Sequence, residues 1–495
     1  MAGKRAFSTL ISLSLALVLE ACSSQPRQAN LNLIYKQAAQ YHKPDRNPVI
    51  VIPGILGSAL VEEDTDRVVW GAFRGSFADP RENDGAQLIA LPIDEDKPLN
   101  ELKDDVRPDG VLETLQVRLL GIPLDLRAYV GILSTLGVGG YADETLGLNG
   151  IDYGDDHFTC FQFDYDWRRD NVENAARLKA FIDVRRKYIQ REYKKRYGIE
   201  DADIKFDIVA HSMGGLLARY YLRYGGEPLP GDGADPELTW AGAEDIEKLV
   251  LVGTPNGGAS ETLEQLITGY SRGRPVVPRY PAYIMGTFPS IYQLLPRPRQ
   301  GRIIYDDPDA SSVGDIYDQS LWSKFNWGLA SDDIATLQFL SDALPGAANN
   351  AERQRIAEAF QAKALAQAKA FHRALDKPAT PPDDVQLYLV AGDAYETPYK
   401  VTVNQDTGAP KVTQRGPGDG SVPRYSALAD ERIGREWRPY LASPIDWSGV
   451  TFLSSTHIGL TTDPAFADNV LYMLLEAPRP GRLTPEGTDG QTIEP

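Results

Sequence analysis

Ser212 is the residue of this chain whose surroundings best suit nucleophilic chemistry. It follows the apolar residues 206–210 and precedes a helical stretch at residues 216–222. A strand, a sharp turn and a helix with a serine at the apex form a nucleophile elbow. The turn needs small neighbours, and Ala210 and Gly214 lie two residues before and two residues after the serine. The flanking strand and helix make this short pattern informative.

A serine hydroxyl becomes a good nucleophile only when a base takes its proton and a carboxylate orients that base. After a nucleophile elbow, the acid and then the histidine follow in chain order. His457 follows a predicted strand and precedes the last predicted helix, so we predict that it is the base. His372 lies in an Ala-rich helical stretch, where we predict a plain surface position. His211 adjoins the serine, but neighbours in a sharp turn point apart, so we predict that it only packs.

Two aspartates are candidates for the acid. Asp393 follows the apolar run at residues 385–390, where a parallel sheet would bring it to the site. Asp419 lies among glycines and prolines at residues 416–423, a composition that can hold a carboxylate in a fixed place or simply form a turn. The residues alone leave both aspartates open.

The negative oxygen that forms during attack on a carbonyl needs two backbone N–H donors. One candidate is Met213, the residue after the serine. The other should come from the turn at residues 53–57, after the first apolar strand. Gly54 and Gly57 would let the backbone of that turn approach a substrate closely.

The elements that must position these groups alternate along the chain. Apolar runs predict buried strands at residues 48–52, 158–163, 206–210, 248–252, 385–390 and 450–453. Helical periodicity predicts helices at residues 174–197, 216–224, 351–377 and 464–476. This alternation indicates an α/β fold with a mostly parallel sheet covered on both faces, in which the site lies at the carboxyl ends of the strands.

The sequence divides into a leader, two core segments and insertions. Residues 1–22 resemble a lipoprotein signal peptide, and residues 23–47 form a polar tether. We predict core segments at residues 48–260 and 381–476, with an insertion at about 64–157. Residues 261–380 form an inserted cap, and residues 477–495 a loose tail.

The leader indicates export to a bacterial cell envelope. Lys4 and Arg5 precede an apolar stretch too short to span a bilayer, and Cys22 would carry the lipid anchor in the outer membrane. The alternative is an ordinary secretory signal cut after Ala21, which would leave the protein periplasmic. In that case a disulfide between Cys22 and Cys160, the only two cysteines, becomes conceivable.

Charge and composition exclude several classes of partner. The formal net charge of −18 argues against a nucleic-acid partner and against electrostatic docking to anionic lipids. Two cysteines cannot build a structural zinc site of the usual kind, and the proposed chemistry needs no metal or cofactor.

Several motifs together resemble the lecithin:cholesterol acyltransferase family. They are VIVIPGILGS at residues 49–58, VVW at 68–70, YDWR at 165–168, AHSMGG at 210–215, GTPNGG at 253–258, GDGSVP at 418–423 and TH at 456–457. The resemblance favours Asp419 over Asp393 as the acid. It also implies Leu56 as the second oxyanion donor, beside Met213, and a lid at about residues 263–297. Insertions at about 146–157 and 300–380 have no obvious counterpart in the family.

The resemblance implies an α/β-hydrolase that cleaves or transfers the acyl group of a lipid ester. Two alternatives are a non-catalytic lipid-binding envelope protein and a peptidase of the same fold. Trp70 and Trp167 are either core aromatics or part of the site. Arg168 lies in an apolar neighbourhood, so we predict a carboxylate partner with a structural role.

Overall fold

The computed structural model describes most of the chain between residues 28 and 478. The described ranges are 28–73, 76–112, 114–119, 122–127, 129–146, 157–231, 233–270, 278–306, 313–433 and 436–478. The predicted signal peptide, Cys22 and all but the first two residues of the predicted tail lie outside these ranges. Within them, no helix combines the length and the apolar character that crossing a membrane requires.

A six-stranded sheet forms the centre of the fold. Its strands are β1 (Val49–Ile52), β2 (Cys160–Gln162), β3 (Phe206–His211), β4 (Ile246–Val252), β5 (Gln386–Gly392) and β6 (Gly449–Leu453). They lie in the order β6-β5-β4-β3-β1-β2 and all five pairings are parallel. The predicted fold class is therefore confirmed, and the carboxyl ends of all six strands meet at one edge.

Alternating side chains of these strands supply two separate cores. On one face, Ile50, Ile208 and Leu249 pack with the long helix α1 (Asn171–Tyr197). On the other face, Val49, Val209 and Val250 pack with the last helix, α4 (Pro464–Leu475). Because both faces are covered, most strand positions on either face carry apolar residues, as their sequences indicated.

The sheet-covering helices begin and end at recognisable signals. The side chain of Asp170 caps α1, and Gly198, with φ of 70°, ends it. Asp463 caps α4, and its first residue is Pro464. The helix after the serine, α2 (Met213–Tyr224), begins at the turn itself, three residues earlier than the periodicity predicted.

The segment predicted as the first insertion, together with the strand just before it, forms small sheets of its own. Strands Ser58–Glu62, Val68–Trp70 and Val106–Val111 form an antiparallel sheet, and Thr114–Leu119 pairs with Ile122–Arg127. Helices lie at Asn83–Ile89 and Val130–Val138, and a single 3-10 turn lies at Leu99–Glu101. Before β1, short turns of helix lie at Leu31–Ile34 and Ala38–Gln40.

The segment predicted as a cap is mainly helical. Its helices are Glu261–Thr268, Ala282–Met285, Pro289–Tyr292, Gln319–Phe325, Ile334–Ala343 and the long α3 (Asn350–Asp376). Strand Ile303–Tyr305 belongs to this segment and pairs in parallel with strand Tyr395–Val403, which lies outside it. Tyr395–Val403 in turn forms a hairpin with Pro410–Gly418. The sequence did not predict this hairpin, because its second strand is largely exposed and polar.

The predicted surface position of His372 is wrong. The residue is buried in α3, where its Nε2 lies 2.7 Å from the carbonyl oxygen of Gln293 and its Nδ1 lies 2.5 Å from the hydroxyl of Tyr317. Burial, reinforced by Arg297, lowers its pKa well below the usual range, so the imidazole is neutral. The helix keeps exposed residues beside this position, such as Arg373, but His372 lies on the face that packs inside the protein together with Phe371 and Leu375.

The carboxyl end of α3 is held by cations and hydroxyl groups of α2. Arg219 donates to the carbonyl of Leu375 at 2.8 Å, and Tyr224 donates to that of Ala374 at 2.8 Å. Arg223 donates to the carbonyl of Lys377. Because the last carbonyls of a helix are unpaired and carry partial negative charge, these donors both satisfy and neutralise them.

An ion pair completes this contact. The carboxylate of Asp376 accepts from Arg297 and from Arg299, each at 2.7 Å, and Arg297 is buried. Burial alone would raise the pKa of Asp376, but the two guanidinium groups outweigh it and lower the pKa to about 2.

We predict that Asp376→Asn lowers the free energy of unfolding by about 3 kcal/mol, because it leaves the Arg297 cation buried without its anion. Urea denaturation followed by circular dichroism measures this. Since the folded-state pKa is lowered, the stabilisation is present at neutral pH. The difference from wild type should shrink as the pH falls from about 4 towards 2. Glu431→Gln, at the exposed side of Arg299, is the control and should cost under about 1 kcal/mol. Equal costs for the two variants would contradict the prediction.

Candidate active site

Ser212 lies at the apex of a strained turn between β3 and α2. Its backbone has φ of 55° and ψ of −126°, and its N–H donates to the carbonyl of Val252 at 2.8 Å. The turn is possible because Gly214 and Gly215, two and three residues after the serine, lack side chains. A Cβ on Gly214 would lie 2.3 Å from the carbonyl oxygen of Pro53, and one on Gly215 would lie 2.0 Å from Oγ1 of Thr254. The steric requirement predicted for the elbow is thus present.

The structure brings Ser212, His457 and Asp419 into one hydrogen-bonded row. Nε2 of His457 lies 2.9 Å from Oγ of Ser212, and Nδ1 of His457 lies 2.7 Å from Oδ2 of Asp419. A carboxylate only accepts, so the imidazole carries its proton on Nδ1 and offers a free lone pair to the serine hydroxyl. This is the geometry in which the histidine can take the serine proton.

Asp419 is fixed on all sides. Its other oxygen accepts from the N–H groups of Ser421 at 2.9 Å and Val422 at 2.7 Å, and its carbonyl accepts from the backbone of His457 at 2.9 Å. Burial would raise the pKa of this carboxyl, but His457 and the backbone donors outweigh burial and lower it. Asp393 takes no part in the row; its carboxylate lies 3.6 Å from the guanidinium of Arg424.

The turn at residues 53–57, here called the oxyanion turn, abuts the serine. A Cβ on Gly54 would lie 2.7 Å from Cβ of Ser212. Gly57 donates to the carbonyl of Gly54 at 3.1 Å, and Leu56 has φ of 64°, a conformation that normally favours glycine. No acceptor for the N–H of Leu56 or of Met213 lies among the described residues.

Aromatic residues hold the oxyanion turn at both ends. Trp70 donates to the carbonyl of Leu56 at 2.8 Å, and Tyr165 donates to the carbonyl of Pro53 at 3.0 Å. The indole of Trp167 packs edge-on against that of Trp70, with ring centroids 5.5 Å apart. These tryptophans are therefore core residues whose position bears directly on the site.

Arg168 has the carboxylate partners that the sequence predicted. Its buried guanidinium donates to Asp166 at 2.7 Å and to Asp104 at 2.5 Å, and it also donates to the carbonyl of Ile89. This pairing fixes the loop after β2, from which Tyr165 and Trp167 extend, and its role is structural.

Two residues of this neighbourhood were missed or undervalued. Tyr129, which the sequence did not single out, is buried between Gly54 and His211. His211 was expected only to pack, yet its ring lies 4.8 Å from that of His457, centroid to centroid, and both ring nitrogens have polar partners. Chain separation hid both contacts, since Tyr129 lies in the first insertion and His457 follows β6.

A cavity of about 530 Å³ opens onto Ser212. Apolar groups supply most of its wall, including Ile55, Leu112, Leu294 and Val422, and its polar lining includes Thr262 and Gln265. A larger cavity of about 970 Å³ lies elsewhere, beside Arg297 and Asp376, and several of its lining residues are charged. Of these two cavities only the smaller adjoins the serine, and its wall is mainly apolar, as an acyl chain requires.

No metal centre competes with this site within the described ranges. Those residues contain no cluster of three or more His, Cys, Asp or Glu side chains that could hold an ion. Cys160 is buried in β2 and forms no disulfide with any residue of the described ranges.

Among solved structures, the chain is similar to a protein in the crystal structure of the Tle4–Tli4 complex. The TM-score is 0.51 and the identity 17%, over 88% of this chain and 98% of that chain. Weaker similarities are to lipase 1 from Pelosinus fermentans, with TM-score 0.31, 11% identity and 87% and 98% coverage. The mature lipase BlEst2 from Bacillus licheniformis gives TM-score 0.28, 11% identity and 88% and 94% coverage. At these identities only the Tle4–Tli4 likeness supports the fold, and it supports nothing further.

Sequence comparison gives the family. No curated protein sequence matches the chain. The family model for lecithin:cholesterol acyltransferase matches residues 145–411, more than half of the chain, and this stretch contains the serine elbow. The oxyanion turn, Asp419 and His457 lie outside the matched stretch, so their grouping around Ser212 is an independent observation from the structure. The chain belongs to the lecithin:cholesterol acyltransferase family and has an α/β-hydrolase fold.

Proposed function

We propose that the chain is a serine-dependent enzyme that hydrolyses lipid esters or transfers their acyl groups through a covalent acyl-enzyme. The observation that carries the proposal is the row of hydrogen bonds from Ser212 through His457 to Asp419, which opens onto an apolar cavity. Family membership supports the reaction class, and the residue roles are proposals.

The reaction proceeds in two halves. Oγ of Ser212 attacks the ester carbonyl while Nε2 of His457 takes the hydroxyl proton. The tetrahedral intermediate collapses, the bond to the alcohol oxygen breaks, and His457 returns the proton to that leaving oxygen. An acceptor hydroxyl then gives its proton to His457 and attacks the acyl-enzyme carbonyl. When this second intermediate collapses, the bond to Oγ of Ser212 breaks and His457 returns the proton to Oγ, which frees Ser212. Asp419 stays ionised and stabilises the imidazolium in both halves.

The N–H groups of Leu56 and Met213 are the proposed donors to the negative oxygen. Each such donor is worth about 3 kcal/mol of transition-state stabilisation. The left-handed conformation of Leu56 costs roughly 1 kcal/mol or more, and packing and hydrogen bonds must hold it. The bond from Trp70 to the carbonyl of Leu56 and the contacts of Gly54 with Ser212 supply that restraint.

The identity of the acceptor decides between two activities. Water as acceptor gives a lipase or phospholipase, and a lipid alcohol gives an acyltransferase. The apolar wall of the cavity favours a fatty acyl chain over a peptide, which argues against a peptidase. The ordered hydrogen bonds at Ser212 argue against a purely lipid-binding role. Export and lipid attachment at Cys22 stay predictions, which fatty-acid labelling of the wild type and Cys22→Ala would test.

We predict that Ser212→Ala lowers ester turnover by at least about 10⁴-fold, because the acyl-enzyme cannot form. Release of fatty acid from a phospholipid and from a short-chain ester measures the loss. Covalent labelling by a fluorophosphonate should disappear in the same variant, while the circular dichroism spectrum stays unchanged. Turnover at the wild-type rate would refute the assignment of the nucleophile.

We predict that Asp419→Asn lowers kcat by about 10⁴-fold, since an amide at this position no longer selects the required imidazole tautomer. The matched control is Asp393→Asn, which alters the carboxylate that lies near Arg424 instead. The control should retain kcat within about twofold. If Asp393→Asn lost kcat and Asp419→Asn kept it, Asp393 would be the acid, and the row of hydrogen bonds through Asp419 would not be the catalytic one.

We predict that adding a long-chain alcohol to phospholipid vesicles diverts acyl groups into a new ester if the enzyme is a transferase. The measurement uses phospholipid with a labelled acyl chain and separates free fatty acid from alkyl ester. Ester formation that depends on Ser212 identifies transfer. Fatty acid alone, at every alcohol concentration, identifies hydrolysis.

A further inference from the structure

We propose that Tyr129 and His211 are positioning residues that hold the oxyanion turn and the His457 loop in register across the nucleophile. The proposal rests on the proposed function and adds two residues to it. Neither residue is placed to react with a substrate ester, and both act through the backbone groups that they bind.

The observation is a buried relay of three hydrogen bonds. The N–H of Gly54 donates to the hydroxyl of Tyr129 at 2.8 Å, and that hydroxyl lies 3.0 Å from Nδ1 of His211. Nε2 of His211 lies 3.1 Å from the carbonyl oxygen of His457. The relay therefore joins the turn after β1 to the loop after β6, which are some 400 residues apart in the chain.

The directions of all three hydrogen bonds follow from one constraint. The carbonyl of His457 can only accept, so Nε2 of His211 must carry a proton. The ring is neutral, because burial and the adjacent His457 lower its pKa to about 3. Nδ1 is therefore an acceptor, and the Tyr129 hydroxyl must donate to it. The same oxygen then has its lone pairs free for the N–H of Gly54, so every group is satisfied in a single arrangement.

The oxyanion turn is shaped to receive this relay. A Cβ on Gly57 would lie 2.7 Å from the Tyr129 hydroxyl, and a Cβ on Gly54 would lie 3.3 Å from Nδ1 of His211. Tyr129 is 3% exposed and His211 is 1% exposed, so water cannot replace a lost partner without a rearrangement. Loss of the tyrosine hydroxyl would leave the N–H of Gly54 unpaired two residues before Leu56.

Catalysis depends on the spacing between the oxyanion turn and the His457 loop. The oxyanion donors bind the carbonyl oxygen, while the imidazole moves protons at Oγ of Ser212 and at the leaving oxygen, so groups from different loops must be aligned about one carbonyl group. Displacements well under 1 Å at either loop weaken transition-state stabilisation. Binding of the substrate in the ground state depends far less on this register, because Tyr129 and His211 are only two of the 19 residues that line the cavity. The proposal therefore predicts an effect on kcat with little effect on KM.

We predict that Tyr129→Phe lowers kcat for a soluble short-chain ester by about 10- to 100-fold and leaves KM within about threefold. The rate of fluorophosphonate labelling should fall in parallel. The matched control is Tyr220→Phe, which removes another buried hydroxyl, bonded to the carbonyl of Glu227 at 2.9 Å, far along α2. The control should keep the wild-type kcat. A wild-type kcat for Tyr129→Phe would overturn the proposal.

A second variant tests the other half of the relay. His211→Gln can still donate to the carbonyl of His457 but presents no acceptor at the position of Nδ1. If both residues act in one relay, the double variant with Tyr129→Phe should be no slower than about threefold below the slower single variant. Multiplicative losses of kcat would show two unrelated packing effects and would overturn the relay.

Failure of the proposed function is distinguishable from failure of the relay. If wild type and Ser212→Ala do not differ in turnover, the proposed function fails. The relay is then judged by nitrogen NMR of the imidazoles. His211 should appear as the neutral tautomer with its proton on Nε2, and its Nδ1 resonance should shift in Tyr129→Phe but not in Tyr220→Phe. A different tautomer, or an unshifted resonance, would overturn the relay whatever the activity.

Discussion

The site depends on one steric constraint, the forced backbone conformation of Ser212. With φ of 55°, the serine can occupy the apex only if the chain on either side approaches other backbone closely. Gly214 and Gly215 lack side chains where any Cβ would collide with Pro53 or Thr254, and Gly54 does the same beside the serine itself. The glycines are therefore a consequence of the elbow, and the elbow fixes how near the oxyanion turn can come.

The parallel sheet converts this local constraint into a catalytic arrangement. Ser212 follows β3, the oxyanion turn follows β1, and His457 follows β6, so all three lie at the same edge of the sheet. Strand order alone does not bring them into contact, because β6 is four strands away from β1. The segments that follow the strands make the final approach. His457 comes four residues after β6, and its backbone N–H donates to the carbonyl of Asp419, which directly follows the second strand of the hairpin.

The sequence predicted what local patterns encode. Mainly apolar runs identified the six strands, because a parallel sheet covered on both faces needs apolar residues on both sides. Tyr129 left no such signal: its role comes from a hydroxyl that meets Gly54, 75 residues away, and the neighbouring sequence has no distinguishing composition. The surface position for His372 was wrong for a related reason, since the composition of the helix does not show that this histidine lies on the buried face with Phe371 and Leu375. A histidine can lie at the surface or in the interior, and here its contacts with Tyr317 and with the carbonyl of Gln293 place it in the interior.

Helix α2 connects two parts of the molecule: its amino end lies at the active site, and residues towards its carboxyl end contact the inserted cap. At its amino end, α2 presents the N–H of Met213, where the partial positive charge favours a developing oxyanion. Towards its carboxyl end, Arg219 and Arg223 bind the terminal carbonyls of α3, whose partial charge is negative.

Burial, with Arg223 nearby, lowers the pKa of Arg219 to about 9, which still leaves it cationic at neutral pH. A buried cation without a carboxylate partner would be costly, so the α3 terminus is what makes Arg219 tolerable there. The end of the longest cap helix is consequently tied to the helix that begins at the nucleophile, and the contact is polar and directional.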